Sequence, residues 1–321
     1  MVNDPAPGPA TDPSTPLTDA FEEHRPLLTG VAYRMLGRVA DAEDVVQEAW
    51  LRWSAGDRSA VVEPRAYLVR VTTRLAVDRL RQIGARRESY PGPWLPEPVP
   101  TGDPGAPGGT VPDTAERAVL TDTVSLAVLV VLEALSPVER AVFVLREAFG
   151  FPYAEIATAL DRTEAAVRQT AGRARRHVDE RRPRYDVDPV RCREVTERFL
   201  AAAAGGDLGQ LLVLLAPDAT LVGDSGGKAK APLRVIAGAD KVGRFLVGAA
   251  SRPPAAVEYR SVVVNGVPSV LVLSAGMPDS VLQLGVVAGR IDCVYILRNP
   301  DKLGALAGLP PSGNSPVPTL V

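Results

Sequence analysis

FPYAEIATALDRTEAAVRQTAGRARRHV, running from Phe151 to Val178, is the stretch whose reading decides this chain. Ile156, Ala157 and Leu160 recur at helical spacing. Asp161 and Arg162 interrupt the pattern, and Thr163 offers a hydroxyl cap to a second helix. That helix keeps Ala166, Val167 and Ala174 for an inner face and turns Arg168, Gln169, Arg173, Arg175 and Arg176 outward. Two short helices joined by a tight turn, the second of them basic, describe a helix-turn-helix. A solvated amphipathic hairpin in an ordinary bundle would share the pattern, so the surroundings have to decide.

Charge is the first of those surroundings. The formal net charge is −2, which rules out the simple argument from a basic protein to nucleic acid. The basic residues are instead segregated. From Arg65 to Arg87 the chain carries Arg65, Arg70, Arg74, Arg79, Arg81, Arg86 and Arg87 against the single acid Asp78. A second basic run covers Arg162 to Arg184. Two such runs in a neutral chain point to two contacts on one polyanion. The cations are nearly all Arg, with Lys only at Lys228, Lys230, Lys241 and Lys302, and Arg suits bidentate contacts to phosphate and guanine.

Other classes fall away. Cys192 and Cys293 lie far apart with no CxxC, so neither a metal nor another cofactor is expected and both thiols should be buried and reduced. The apolar run LAVLVVL from Leu126 to Leu132 is too short to span a bilayer. The opening MVNDPAPGPATDPSTP lacks the basic and apolar parts of a signal peptide. These features predict a cytoplasmic protein without membrane contact.

Upstream of the basic run, a first helix carries Phe21, Leu27, Leu28, Val31, Ala32, Met35 and Leu36. RVADAEDVVQEAWLRW then crowds Asp41, Glu43, Asp44 and Glu48 onto one short helix. Acids near a helix N-terminus suit its dipole. Val45, Val46, Ala49, Trp50 and Trp53 already define an inner face, which leaves an acidic outer surface bearing Gln47. PRAYLVRVTTRLAVDRLRQ forms a third helix that buries Leu68, Val71, Leu75, Val77 and Leu80 under an Arg-rich outside. One acidic and one basic surface in the same bundle imply two partners.

These motifs, in this order, resemble a bacterial extracytoplasmic-function (ECF) sigma factor of the sigma-70 family. DAEDVVQEAWLRW is similar to the part of region 2 that docks on the clamp of RNA polymerase. EPRAYLVRVTTRLAVDRLRQ is similar to the part that reads and melts the −10 element. LEALSPVERAVFVLREAFG with the helix-turn-helix resembles region 4, which reads the −35 element and meets the polymerase flap. The resemblance implies core-polymerase contacts at Asp41, Asp44, Gln47 and Glu48 and −10 contacts at Arg70, Arg74, Asp78, Arg79 and Arg81. It implies −35 contacts at Arg162, Thr163, Glu164, Arg168, Gln169, Arg173 and Arg176. The chain departs from the family at Thr170, Ala171 and Gly172, where a further Arg is common.

SYPGPWLPEPVPTGDPGAPGGTVPDT, between the two modules, is too rich in Pro and Gly for a helix or a central strand. Within it Trp94-Leu95-Pro96-Glu97-Pro98 resembles a signature of the ECF subgroup with a fused C-terminal SnoaL-like domain. A large apolar pair in a polar linker needs a pocket. After RRPRYDVDP the pattern changes to helix, short helix and a strand from near Ala219, followed by the helix GADKVGRFLVGAA. A β-hairpin turning at Asn265-Gly266 and two more strands turning near Ala288-Gly289 complete an α+β unit. Two further subgroup signatures lie here. One is Asp224-Ser225-Gly226-Gly227-Lys228, with Ser where Gly is usual, and the other is Asn299-Pro300-Asp301-Lys302-Leu303. These signatures imply that the two segments form the rim of a contact gripping Trp94-Leu95-Pro96-Glu97-Pro98, through which the domain modulates transcription in cis.

The expected fold class is therefore multidomain: two all-α sigma modules and a C-terminal α+β SnoaL-like, nuclear-transport-factor-like cone-shaped barrel. The expected boundaries are a disordered tail over 1–16, region 2 over 17–88, the linker over 89–113 and region 4 over 114–182. The SnoaL-like domain covers 187–308 and a flexible tail 309–321. The cone holds small molecules in some relatives, which leaves room for an unknown ligand. No His falls within it, the only two being His24 and His177, and Asp224, Asp292, Glu258 and Tyr259 are a thin set for acid–base chemistry. The expectation is a transcription initiation factor and not an enzyme. A DNA-binding regulator fused to an enzyme or a small-molecule sensor, or a plain two-domain repressor, are the competing classes.

Overall fold

The computed structural model describes residues 15–56, 61–87, 89–101, 125–181, 188–252 and 256–309. Residues 1–14 and 310–321 of the tails expected over 1–16 and 309–321, the second half of the linker and the stretch 114–124 lie outside the described residues, and the first helix begins inside the expected N-terminal tail, at Thr15.

Three long helices open the fold: α1 (Thr15–Leu36), α2 (Val39–Ser54) and α3 (Pro64–Arg87). The second helical group has α4 (Leu126–Leu132), α5 (Pro137–Phe143), a π-helical turn at Val144–Ala148, α6 (Tyr153–Leu160) and α7 (Glu164–Arg181). Local chemistry sets its boundaries. Ser136 and Glu139 form a reciprocal capping box on α5. Asp161 ends α6 in the left-handed region at φ 57°, and the Thr163 hydroxyl accepts the Ala166 N–H at 3.3 Å to open α7. One apolar core runs through both groups, from Leu28, Val31, Trp53 and Leu68 to Leu145, Ile156 and Val167.

The C-terminal part has α8 (Pro189–Ala204), α9 (Leu208–Leu214), β1 (Leu215–Asp224), β2 (Ile236–Ala237) and α10 (Ala239–Ala250). β3 (Val257–Val264), β4 (Val267–Ser274), β5 (Met277–Val287) and β6 (Arg290–Leu297) follow. The strand order is β2-β1-β6-β5-β4-β3, antiparallel throughout except for the parallel pair β1 and β6. The β3–β4 hairpin turns at Asn265 (φ 50°) and Gly266 (φ 72°), two successive positive values that Asn-Gly tolerates. One point corrects the sequence reading: β1 begins at Leu215, directly after α9, rather than near Ala219. Its register shifts between Leu215 and Thr220, where Pro217 has no N–H to give the ladder.

Each sheet face has its own core. Phe199, Leu211, Leu221, Val242 and Val270 pack the helices onto one face. On the other, Val262, Val264, Leu271, Val281 and Leu303 meet Leu95 of the linker and Leu126 and Ala127 of α4. Leu129 and Leu132 of the same short helix belong to the helical core, so α4 lies between the two halves of the molecule. Cys192 and Cys293 are both free and buried. Among the described residues, no helix is long and apolar enough to cross a membrane.

Candidate functional site: two basic helices and a docked linker

On α2, Asp44, Gln47 and Glu48 are exposed, and Glu48 pairs with Arg52 at 2.6 Å. Asp41 is not on that surface. It shares the 41, 45, 49 stripe with Val45 and Ala49, is buried, and accepts two hydrogen bonds from Arg79, at 2.7 and 3.1 Å. Arg79 also reaches Asp44 at 3.2 Å. The Asp41 hydrogen bond, with burial working against it, holds the Arg79 guanidinium above its ordinary pKa. The sequence reading placed these two residues on opposite surfaces, whereas the structure uses them to join α2 to α3.

Arg65, Arg70 and Arg74 of α3 lie against the second helical group. Arg74 Nε donates to the Ala159 carbonyl at 2.9 Å, at the C-terminal end of α6. Arg65 sits 4.5 Å from the Phe151 ring and 3.8 Å from Glu155. Arg70 lies half-buried against a crevice of about 220 Å³ between α3 and α6, walled by Val69, Leu145, Phe151 and Ile156. Arg81 stays outside, paired with exposed Asp78 at 2.8 Å. A further tie comes from Arg140 of α5. Its guanidinium donates to the Met35 carbonyl and to Glu133, both at 2.8 Å, and burial lowers its pKa to about 10.

α7 contrasts with α3. Arg162, Thr163, Glu164, Arg168, Gln169, Arg173 and Arg176 are all exposed. Arg168 pairs with Glu164 one turn back and stacks 4.7 Å from the Tyr153 ring. Arg173 approaches Glu139 at 3.6 Å, and Arg176 donates to the Gly172 carbonyl at 3.3 Å.

The linker meets the two C-terminal segments expected to grip it, and the structure adds a run of backbone hydrogen bonds along it. Prolines occupy alternate positions at Pro96, Pro98 and Pro100, and each intervening residue donates its N–H to a partner. Leu95 gives to Asp224 Oδ2 at 2.8 Å and Glu97 to the Gly37 carbonyl at 2.8 Å. Val99 gives to Asn265 Oδ1 at 3.2 Å and Thr101 to the Val263 carbonyl at 2.8 Å. Alternation puts all these donors on one side of an extended chain, and the prolines lose nothing on the other. The segment thereby pairs with the edge strand β3, bridging at Pro100 and Val264.

Leu95 is fully buried and Trp94 only partly so. Below them Lys302 Nζ donates to the Leu95 carbonyl at 2.6 Å and to Asp224 Oδ2 at 2.7 Å, and lies 4.0 Å from the Trp94 ring. Asp224 and Lys302 thus form the floor of the contact and not its rim. Tyr90 donates to Asp224 and accepts from Asn299 at 2.9 Å, and burial, with the Asp224 hydrogen bond and charge, pushes its phenol above the ordinary range. The exposed Lys228–Asp301 pair lies at the edge. Pro300 opens the 3₁₀ turn Pro300–Lys302 that presents Lys302, and Leu303 caps it and lies in the core below.

Two partners of the linker were missed outright. Tyr33 of α1 donates to the Glu97 carbonyl at 2.8 Å and accepts from Asn265 Nδ2 at 2.8 Å. The sequence marks Asn265 only as a turn residue, and nothing in its pattern singles out Tyr33.

A bundle with one acidic and one basic helix, a helix-turn-helix and a linker clasped by a third unit has the build of a promoter-recognition factor. The description Sigma-70 region 2 matches residues 20–86, and Sigma-70 region 4 matches residues 125–178. The ECF RNA polymerase sigma factor SigJ of Mycobacterium tuberculosis is 41% identical over 294 residues, covering 88% of this chain and 91% of that protein. A probable ECF sigma factor of the same species, SigI, is 35% identical over 291 residues, covering 91% and 96%. The crystal structure of SigJ matches with a TM-score of 0.71 at 38% identity over 90% of this chain and 98% of that one.

The chain belongs to the extracytoplasmic-function family of RNA polymerase sigma factors, in the form that carries a C-terminal SnoaL-like domain. As such it works with core RNA polymerase at promoter DNA to initiate transcription.

Proposed function

We propose that promoter recognition and polymerase docking are divided among the surfaces just described. Asp44, Gln47 and Glu48 of α2 face the polymerase clamp, and the second helical group meets the flap. Arg70, Arg74 and Arg81 hold the −10 strand, with Asp78 orienting Arg81. Extruding bases from the stack there costs a few kcal/mol, which a row of guanidiniums offsets. Arg168 and Gln169 meet −35 base edges. Arg162, Arg173 and Arg176 meet phosphates, Thr163 caps the helix, and Glu164 holds Arg168 in place. Asp41 and Arg79 are assigned to the fold of region 2.

The C-terminal domain acts in cis and without catalysis. Its Asp224, Lys302 and Asn299 are spent on the linker rather than on a substrate, and the Gly226-Gly227 turn lets Lys228 and Asp301 close over the edge. The observation that carries this reading is the buried Lys302–Asp224 pair, with side chains 2% and 0% exposed, which binds both the carbonyl and, through Asp224, the N–H of Leu95. Tethering gives the domain an effective concentration on the order of millimolar, so the contact is populated without a second protein.

Run-off transcription with purified core polymerase tests the assignment. The full chain should support promoter-specific initiation, and Leu95→Arg, which cannot enter the contact, should change its rate. Equal rates would show that the linker contact does not govern transcription.

A further inference from the structure

We infer that Glu97 of the linker is a positioning residue for the polymerase-docking helix, supplying from outside the cap that α2 lacks. The inference rests on the assignment of α2 to the clamp. The residue before the helix is Arg38, in extended geometry (φ −132°, ψ 136°), and its side chain makes no capping bond. A helix N-terminus leaves its first N–H groups unpaired, and Ser, Thr, Asp or Asn ordinarily satisfies one. Asp41, the acid of the first turn, is committed to Arg79. The Glu97 carboxylate instead accepts the Val39 N–H at 3.1 Å, a distance of 58 residues along the chain. A carboxylate there also suits the positive end of the helix dipole.

Glu97 is held at both of its backbone groups. Its N–H binds the Gly37 carbonyl, and its carbonyl accepts the Tyr33 hydroxyl that Asn265 of the β3–β4 turn also binds. Gly37 itself sits at φ +72°, and a Cβ there would lie 2.7 Å from the Trp94 ring, so the α1–α2 corner is shaped to the linker. Burial raises the Glu97 pKa, while the Val39 N–H, Arg38 and Lys302 favour its charged form. The contacts therefore run from the C-terminal hairpin through the linker to the first turn of the helix that bears Asp44, Gln47 and Glu48. A docked C-terminal domain keeps the core-binding helix capped, and an undocked one leaves its first turn open.

The test measures affinity of the full chain for purified core polymerase together with amide hydrogen exchange at Val39 and Ala40. Glu97→Ala should weaken core binding by roughly two- to thirtyfold, the range of a lost cap, and speed exchange in the first turn. Glu97→Gln, which keeps an acceptor, should retain most of the affinity. The decisive arm is Glu97→Ala combined with Arg38→Ser, which gives α2 a local cap and should restore both affinity and protection. Restored protection without restored affinity would overturn the inference, as would Glu97→Ala binding core like the native chain. The assignment of α2 is checked by Asp44→Ala with Glu48→Ala in the same assay. If that pair binds core normally, the docking surface lies elsewhere and the clamp assignment fails with the inference. If it binds weakly while Glu97→Ala does not, only the inference fails.

Discussion

Two of the contacts that fold this chain back on itself use similar groups in opposite settings. Where the linker meets the C-terminal domain, Lys302 and Asp224 are out of water, Leu95 and Tyr90 complete their hydrogen bonds, and Asn299 donates in turn to Tyr90. Where α3 meets α6, the pair Arg65–Glu155 spans 3.8 Å with side chains 45% and 43% exposed. Exposed pairs contribute about 0–1 kcal/mol and are screened by salt. A buried pair is costly to form and far more costly to break on one side only. Charge is common to both contacts; burial decides which of them resists competition. Phosphates and salt compete readily for the α3 arginines, whereas the linker contact has to be prised open as a unit.

The largest expected effect is at that buried pair. Lys302→Met leaves Asp224 without its cation and should cost roughly 3–5 kcal/mol of stability, read from denaturant unfolding of the full chain. Adding Asp224→Asn to it should return much of the loss, because the amide oxygen still accepts from Leu95 while carrying no charge that needs a counter-ion. An unchanged unfolding midpoint for Lys302→Met alone would remove the contrast between the two contacts.

Arg140 stands between the extremes. It is buried, yet its partner Glu133 retains 18% exposure and can turn to water. Arg140→Met should therefore cost less, roughly 1–3 kcal/mol for the orphaned Met35 carbonyl and the lost charge-assisted bond. Thermal unfolding checks this, and a loss as large as that of Lys302→Met would show that partner exposure does not set the scale.

The modules, the hairpin at Asn265-Gly266 and the exposed face of α7 were legible in the sequence because periodicity and turn chemistry are local. Asp41 shows where such reading misleads. A cluster of four acids on one helix reads as a single surface, although the 41, 45, 49 spacing sets Asp41 on the inner stripe. Arg74 looked free because the carbonyl it meets belongs to Ala159, and a carbonyl has no signature in sequence. The linker holds both lessons. Proline at every second position was visible, and with it the alternation of available N–H groups. The identity of their acceptors, at the α1–α2 corner, on β1, on β3 and in the β3–β4 turn, depended on a tertiary fold that no short stretch encodes.

The smallest expected effect separates the two acids on α2 that touch Arg79. Asp41 and Arg79 have side chains 13% and 31% exposed, whereas Asp44 is 68% exposed at 3.2 Å from the same guanidinium. Asp41→Asn keeps an acceptor but loses the charge assistance of a sheltered bond, so region 2 should lose about 1 kcal/mol. Asp44→Asn should stay within about 0.5 kcal/mol of the native chain, because water already solvates that carboxylate. For core polymerase the order should invert, since only Asp44 presents its charge outward. Measuring unfolding and core binding for both variants therefore yields a crossed pattern. If Asp44→Asn is the more destabilising, or Asp41→Asn the weaker binder despite a native fold, then exposure does not distinguish the structural acid from the docking acid.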